Sequence, residues 1–208
     1  MEFTTMRIYL VRHGETEWNR VRRFQGRSDL PLNQEGRKQV RSLALTLKNK
    51  PLVAIYTSPL IRALETARLI KVFHPSNSIF EEKGFIEMDL GEFDGMKFQD
   101  WAEQYPDIRK AWNENPASVK MPGGESLKEV QARSKETLER ITLIYPPDAT
   151  ILISSHNFVN LTILCDLLKI PLQRFRELHQ ENAAFNVICR KGNRFYVELV
   201  NEGSHLEK

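Results

Sequence analysis

The feature that most constrains this chain is the alternation of short apolar runs with amphipathic helical periods. RIYLV at 7–11 reads as a buried strand. LNQEGRKQVRSLALTLK follows, with Val40, Leu43, Ala44 and Leu47 at helical spacing behind a capping Asn33. LVAIYT at 52–57 is a second strand. Ser58 and Pro59 then offer an N-cap and a proline for the first helical position, and Leu60, Leu64, Ala67 and Ile70 share one helical face. A third period, Leu127, Val130, Ser134, Leu138, Ile141 and Tyr145, opens on Ser126 and Glu129 at capping-box spacing and leads into the strand ATILISS at 149–155. Strands separated by helices are joined by crossovers, so the expected fold is α/β: a three-layer sandwich, with a mostly parallel central sheet and helices on both faces. AFNVICR and RFYVELV, parted only by KGN, form instead an edge hairpin.

The 208 residues, 41% of them hydrophobic, suffice for one domain over 1–208. Between 91 and 124 the alternation stops. Trp101, Tyr105, Trp112, prolines and glycines stand there without a long period, so about 93–126 is expected to be an excursion over the sheet. A net charge of +3 against 30 basic and 27 acidic side chains gives no global field for nucleic acid or membranes; any anion site must be local. Cys165 and Cys189 stand apart, no secretory leader is evident, and no apolar run approaches the roughly 20 residues that span a bilayer. These features are expected of a reduced, cytoplasmic protein.

Three strands end in unusual chemistry. The first ends in Arg12 and His13, the second leads to Arg62 one turn into its helix, and the third ends in Ser154, Ser155 and His156. Open α/β sheets bind ligands at the carboxyl ends of their strands, so parallel strands would bring these groups to one crevice. Two guanidinium forks and two imidazoles suit a phosphomonoester dianion. Taken singly, each residue has a plainer reading: a solvated strand end, a surface arginine paired with Glu65 or Glu15, a helix-capping histidine. A metal site built from His13 and His156 is an alternative, but neither sits in a metal-ligand spacing, and zinc usually takes three or four ligands. The joint placement carries the inference.

LVRHGETEWN at 10–19 closely resembles the signature of the histidine phosphatase superfamily, the phosphoglycerate mutase-like proteins. FQGRSDLPLNQEG, IYTSPLIRALETA and ISSHN resemble its later blocks, in family order and over nearly the whole chain. The resemblance implies that His13 is the nucleophile, that Arg12, Arg62 and His156 bind the non-bridging oxygens, and that Asn19, Gln25 and Gly26 line the pocket. In GFIEMDLGEFDG it implies that Glu87 supplies the leaving-group proton, with Glu92 and Asp94 as alternatives of turn or surface character.

Two departures qualify it. Asn157 follows the second histidine where many members have glycine, and is expected to contact the substrate or narrow the pocket. The acid segment lacks the arginine- and histidine-containing form typical of the mutases, which favours the phosphatase branch. The expected activity is hydrolysis of a small phosphorylated metabolite through a phosphohistidine, with no cofactor and no metal. Phosphoglycerate mutase and a non-catalytic phospholigand module are the alternatives. Substrate choice is expected in the excursion over the active site, through Arg109, Lys110 or Lys120 and the aromatic residues, unless these serve only as surface charge and local core. A homodimer is left open.

Overall fold

The computed structural model describes residues 4–206. β1 (Met6–Arg12) exposes only Arg7 and part of Arg12, the burial of an inner strand covered on both faces. The chain then forms a one-turn helix α1 (Glu17–Arg20) and α2 (Gln34–Leu47), whose first turn is capped by Asn33, its side chain accepting from Gly36 N at 2.7 Å. β2 (Leu52–Thr57), α3 (Ile61–Lys71) and the short β3 (Ile79–Glu81) follow. The excursion carries two short helices, α4 (Phe98–Gln104) and α5 (Pro106–Glu114). It leads to α6 (Leu127–Thr142), β4 (Thr150–Ser155) and α7 (Asn157–Leu168), and the described chain closes with β5 (Phe185–Lys191) and β6 (Arg194–Glu202).

The six strands lie in the order β3-β2-β4-β1-β5-β6. The three pairings among β3, β2, β4 and β1 are parallel, and β5 and β6 add an antiparallel edge hairpin. Gly192 turns that hairpin at φ +59, a conformation tight two-residue loops require and glycine adopts without a Cβ penalty. On one face α2 and α3 bury Val40, Leu43, Leu47, Ala67 and Ile70; on the other α6 and α7 bury Val130, Leu138, Ile141, Val159 and Ile163. Each fully buried Leu or Ile contributes roughly 1.5–3 kcal/mol relative to exposure. The sheet is therefore clamped between two apolar layers.

Two expectations need correction. Ser58 does not cap α3, and Pro59 is not its first residue. Ser58 N donates to Ser154 O at 3.0 Å, so the chain is still tied to the sheet there, and the helix begins at Ile61 after Leu60. Its leading amide is satisfied from outside: Ile61 N donates to Asp29 Oδ1 at 2.6 Å. β3, α4 and α5 are further elements that no hydrophobic period in the sequence announces. In the excursion Trp101 and Trp112 are buried, with Phe24 against Trp101 at 5.3 Å and Trp112 against Phe175 at 5.7 Å, so both belong to local core.

Candidate active site

Register decides the site. Arg12 pairs with Ser155 across β1 and β4, and Thr57 pairs with Ser154 across β2 and β4. The three carboxyl ends therefore stop side by side, and His13 N donates to Ser155 O at 3.0 Å just beyond them. The His13 and His156 rings meet edge to face, with centroids 5.2 Å apart. His13, Arg62, Glu87 and His156 are all buried.

His13 Nδ1 lies 2.7 Å from Gly14 O. A carbonyl can only accept, so Nδ1 carries the proton and Nε2 keeps its lone pair. Two donors hold the His13 carbonyl in turn: Ala183 N at 3.0 Å and Asn182 Nδ2 at 3.2 Å. Ala183 achieves this at φ +58, in the left-handed region, which costs a residue with a Cβ about 1–2 kcal/mol. Burial, with the Arg62 and Arg12 cations beside it, pushes His13 well below the usual imidazole range. It is neutral at pH 7. His156 is pushed down in the same way, by burial and then by Arg62 and His13.

The arginines are built in rather than draped over the surface. Arg62 Nη2 donates to Gly26 O at 2.7 Å and Nη1 to Ser28 O at 2.9 Å, fastening the 26–28 loop over the start of α3. It pairs with neither Glu65 nor Glu15; Glu65 holds Arg37. Asp94 grips the same loop from the other side, accepting from Gly26 N and Ser28 N, both at 2.8 Å. Asp94 is thus a structural acid. Arg12 Nη1 donates to Gln180 O. Burial pushes both guanidinium groups down to about 10, so both stay cationic near neutrality.

Glu87 accepts from Met88 N at 2.8 Å and from Phe158 N, in the first turn of α7, at 3.3 Å. Burial raises its pKa above the ordinary carboxyl value, against the opposing pull of Met88 N, Arg62, Phe158 N and Arg12. His156 occupies the N-cap position of α7 but makes no capping bond, so the capping role does not account for it. Asn157 is the first residue of that helix and is half-buried. Asn19 Oδ1 accepts from Thr16 N and from Asn182 Nδ2, both at 3.1 Å, and Thr16 Oγ1 donates to Gln25 Oε1 at 2.7 Å. Asn19 and Gln25 therefore also brace the loop after β1.

Arg12 Nε, Gln25 Nε2, Arg62 Nε and both ring nitrogens of His156 are buried without a protein partner. Buried polar atoms are usually paired, and of these five nitrogens on four residues the two guanidinium Nε, the Gln25 amide and one His156 ring nitrogen can donate, so the site gathers donors suited to an anion. Among the described residues no group of three or more His, Cys, Asp or Glu stands close enough to hold a metal ion. Thr16, Gln180, Asn182 and Arg133, which brace the site, escaped the sequence reading. Thr16 lies within LVRHGETEWN without being singled out by it, and Gln180, Asn182 and Arg133 fall outside every motif quoted above.

Comparison with known proteins identifies the family. Residues 8–203 match the sequence family described as the histidine phosphatase superfamily (branch 1). The chain is 35% identical to phosphoserine phosphatase 1 of Hydrogenobacter thermophilus, over 97% of this chain and 94% of that protein. It is 30% identical to a probable phosphoglycerate mutase, GpmB, of Serratia proteamaculans, over 97% and 95%. Among solved structures, Bacillus stearothermophilus YhfR superposes with a TM-score of 0.92 at 30% identity, covering 97% of this chain and all of that one.

Proposed function

Since the chain belongs to the histidine phosphatase superfamily (branch 1), we propose that it hydrolyses a small phosphorylated metabolite with His13 as nucleophile and Glu87 as proton donor. The observation that carries this is the 2.7 Å contact of His13 Nδ1 with Gly14 O, which fixes the tautomer that leaves the Nε2 lone pair free in a buried site with two cationic guanidinium groups. Nε2 attacks phosphorus as the ester P–O bond breaks, and Glu87 gives its proton to the departing alkoxide. Water then attacks the phosphohistidine, the Glu87 carboxylate takes the water's proton, the P–N bond breaks and inorganic phosphate leaves. Arg12, Arg62 and His156 stabilise the three equatorial oxygens, the main requirement of phosphoryl transfer.

O-phosphoserine heads the substrate panel, because a relative bearing the name phosphoserine phosphatase aligns over nearly all of this chain. Asn19, Gln25, Gly26 and Asn157 are assigned to the pocket wall. Two free, buried thiols support a reducing, cytoplasmic setting. Acid quench during turnover, with peptide mapping under conditions that preserve phosphohistidine, is expected to find phosphate on His13, and His13→Ala to lose turnover by at least about a thousandfold. Near-normal turnover by His13→Ala would remove it as nucleophile.

A further inference from the structure

Glu87 lies on a segment with no strand partner, because β3 ends at Glu81. A single-turn 3-10 helix, Lys83–Phe85, leads to it. Resting on the assignment of Glu87 as the acid, we propose that Arg133, held by Glu125, is the positioning residue of the general acid. Arg133 Nη1 donates to Gly84 O at 2.9 Å and Nη2 to Glu87 O at 3.2 Å. One planar guanidinium therefore holds both ends of the stretch that delivers the carboxyl group.

The guanidinium is itself immobilised. Its Nε and Nη2 form a bidentate fork on Glu125, at 2.9 and 3.0 Å, and the two side chains are only 20% and 17% exposed. Glu125 reaches onward, accepting from Asp89 N at 2.9 Å, two residues past the acid. Burial would raise the Glu125 carboxyl, but Arg133 and Asp89 N outweigh it and hold the group ionised below its usual range. Arg27 joins the far side, 3.1 Å from Asp89 and 3.4 Å from Glu125.

The post to which Arg133 is attached is rigid. α6 begins with a complete Ser126–Glu129 capping box and buries Val130 and Ser134 on either side of Arg133. Gly84 lies so close to this helix that a Cβ there would meet Thr137 Oγ1 at 1.9 Å. The acid segment is thus pressed onto α6 and bolted by one arginine, while the carboxylate on its other side meets Met88 N and Phe158 N. A proton donor needs this because an ångström of misplacement costs on the order of 100-fold in rate.

The test compares Arg133→Met, Arg133→Lys, Glu125→Gln and Glu87→Gln in the full chain, on O-phosphoserine or another alkyl phosphate the parent turns over, and on p-nitrophenyl phosphate. Arg133→Met is expected to lower kcat on the alkyl ester by about 30-fold while slowing the aryl ester, whose leaving group needs little protonation, by no more than about threefold. Orthovanadate inhibition should stay within about twofold, since Arg12, Arg62 and His156 all remain in place and Arg133 acts on His156 only as a minor charge. Arg133→Lys should recover part of the alkyl rate, and Arg133→Met added to Glu87→Gln should cost nothing further. If Arg133→Met fails to fold, Arg133→Lys and Glu125→Gln carry the same comparison. Equal loss on both esters beside a selective Glu87→Gln would overturn the positioning role alone and leave Arg133 with the fold. A Glu87→Gln without selectivity would overturn the acid assignment and this proposal with it.

Discussion

His13 and Glu87 show one physical cause acting on two chemistries. Burial disfavours the charged form of either group, so the imidazole is kept neutral, as the proposed nucleophile must be, while the carboxyl is biased towards holding its proton. The sign of the pH dependence follows. Turnover of alkyl esters should fall as pH rises through the raised pKa of Glu87, and Glu87→Gln should remove that limb of the profile. The same shift bears on stability: the folded protein binds this proton more tightly than the unfolded chain, so the contribution is full below the ordinary value of 4.5 and is lost as pH rises through the folded value. The Tm of Glu87→Gln minus that of the parent is therefore expected to be more positive at pH 8 than at pH 4. Thermal melts at the two pH values check it, and a pH-independent difference would mean that the buried carboxylate carries no ionisation penalty. Glu87 itself was legible as a motif residue. The Arg133 fork was not, because it reaches the Glu87 carbonyl across 46 positions and leaves no local pattern.

Elements with long periods and their own caps were readable: α2 behind Asn33 and α6 behind Ser126 form as their side chains dictate. The start of α3 was not, since its cap comes from Asp29, 32 residues earlier. That link also ties the 26–28 loop, clasped by Arg62, to the helix that carries Arg62. Asp29→Ala should lower stability by about 1 kcal/mol, the usual loss for an N-cap, and Asp29→Asn, which keeps an acceptor, by less. Urea unfolding of the two variants measures the difference, and equal values would show that the bond to Ile61 N contributes nothing. The strand β3, at three residues, and the helices α4 and α5, at seven and nine, are too short for a hydrophobic period to develop; they exist because β2 offers a sheet edge and because Trp101 and Trp112 find aromatic neighbours.

For the molecule as a whole, the choice between hydrolysis and transfer depends on how water reaches the phosphohistidine. A mutase must give a bound hydroxyl an advantage over water at roughly 55 M. In the excursion Arg109 and Lys110 line a surface groove with Pro106, Asn113 and Glu114, and Lys120 is tied to Glu129, whereas the two cations buried beside His13 are Arg12 and Arg62. Incubation with 3-phosphoglycerate and catalytic 2,3-bisphosphoglycerate, followed by phosphorus NMR, is therefore expected to show phosphate release exceeding 2-phosphoglycerate formation; rapid isomerisation with little free phosphate would overturn the hydrolytic reading. By itself the sequence determined the layered α/β architecture and named the candidate reacting groups, because periodicity, caps and the LVRHGETEWN and ISSHN blocks are local properties of the chain. Only the tertiary structure decided that β4 lies between β1 and β2, which brings His13 and His156 ring to ring. It also decided which atoms orient them: Asn182 on the His13 carbonyl and the Gln180 carbonyl on Arg12 act from 169 and 168 positions away. The physical reason is that a side-chain bond to a distant backbone group depends on strand order and register, which no stretch of sequence encodes alone.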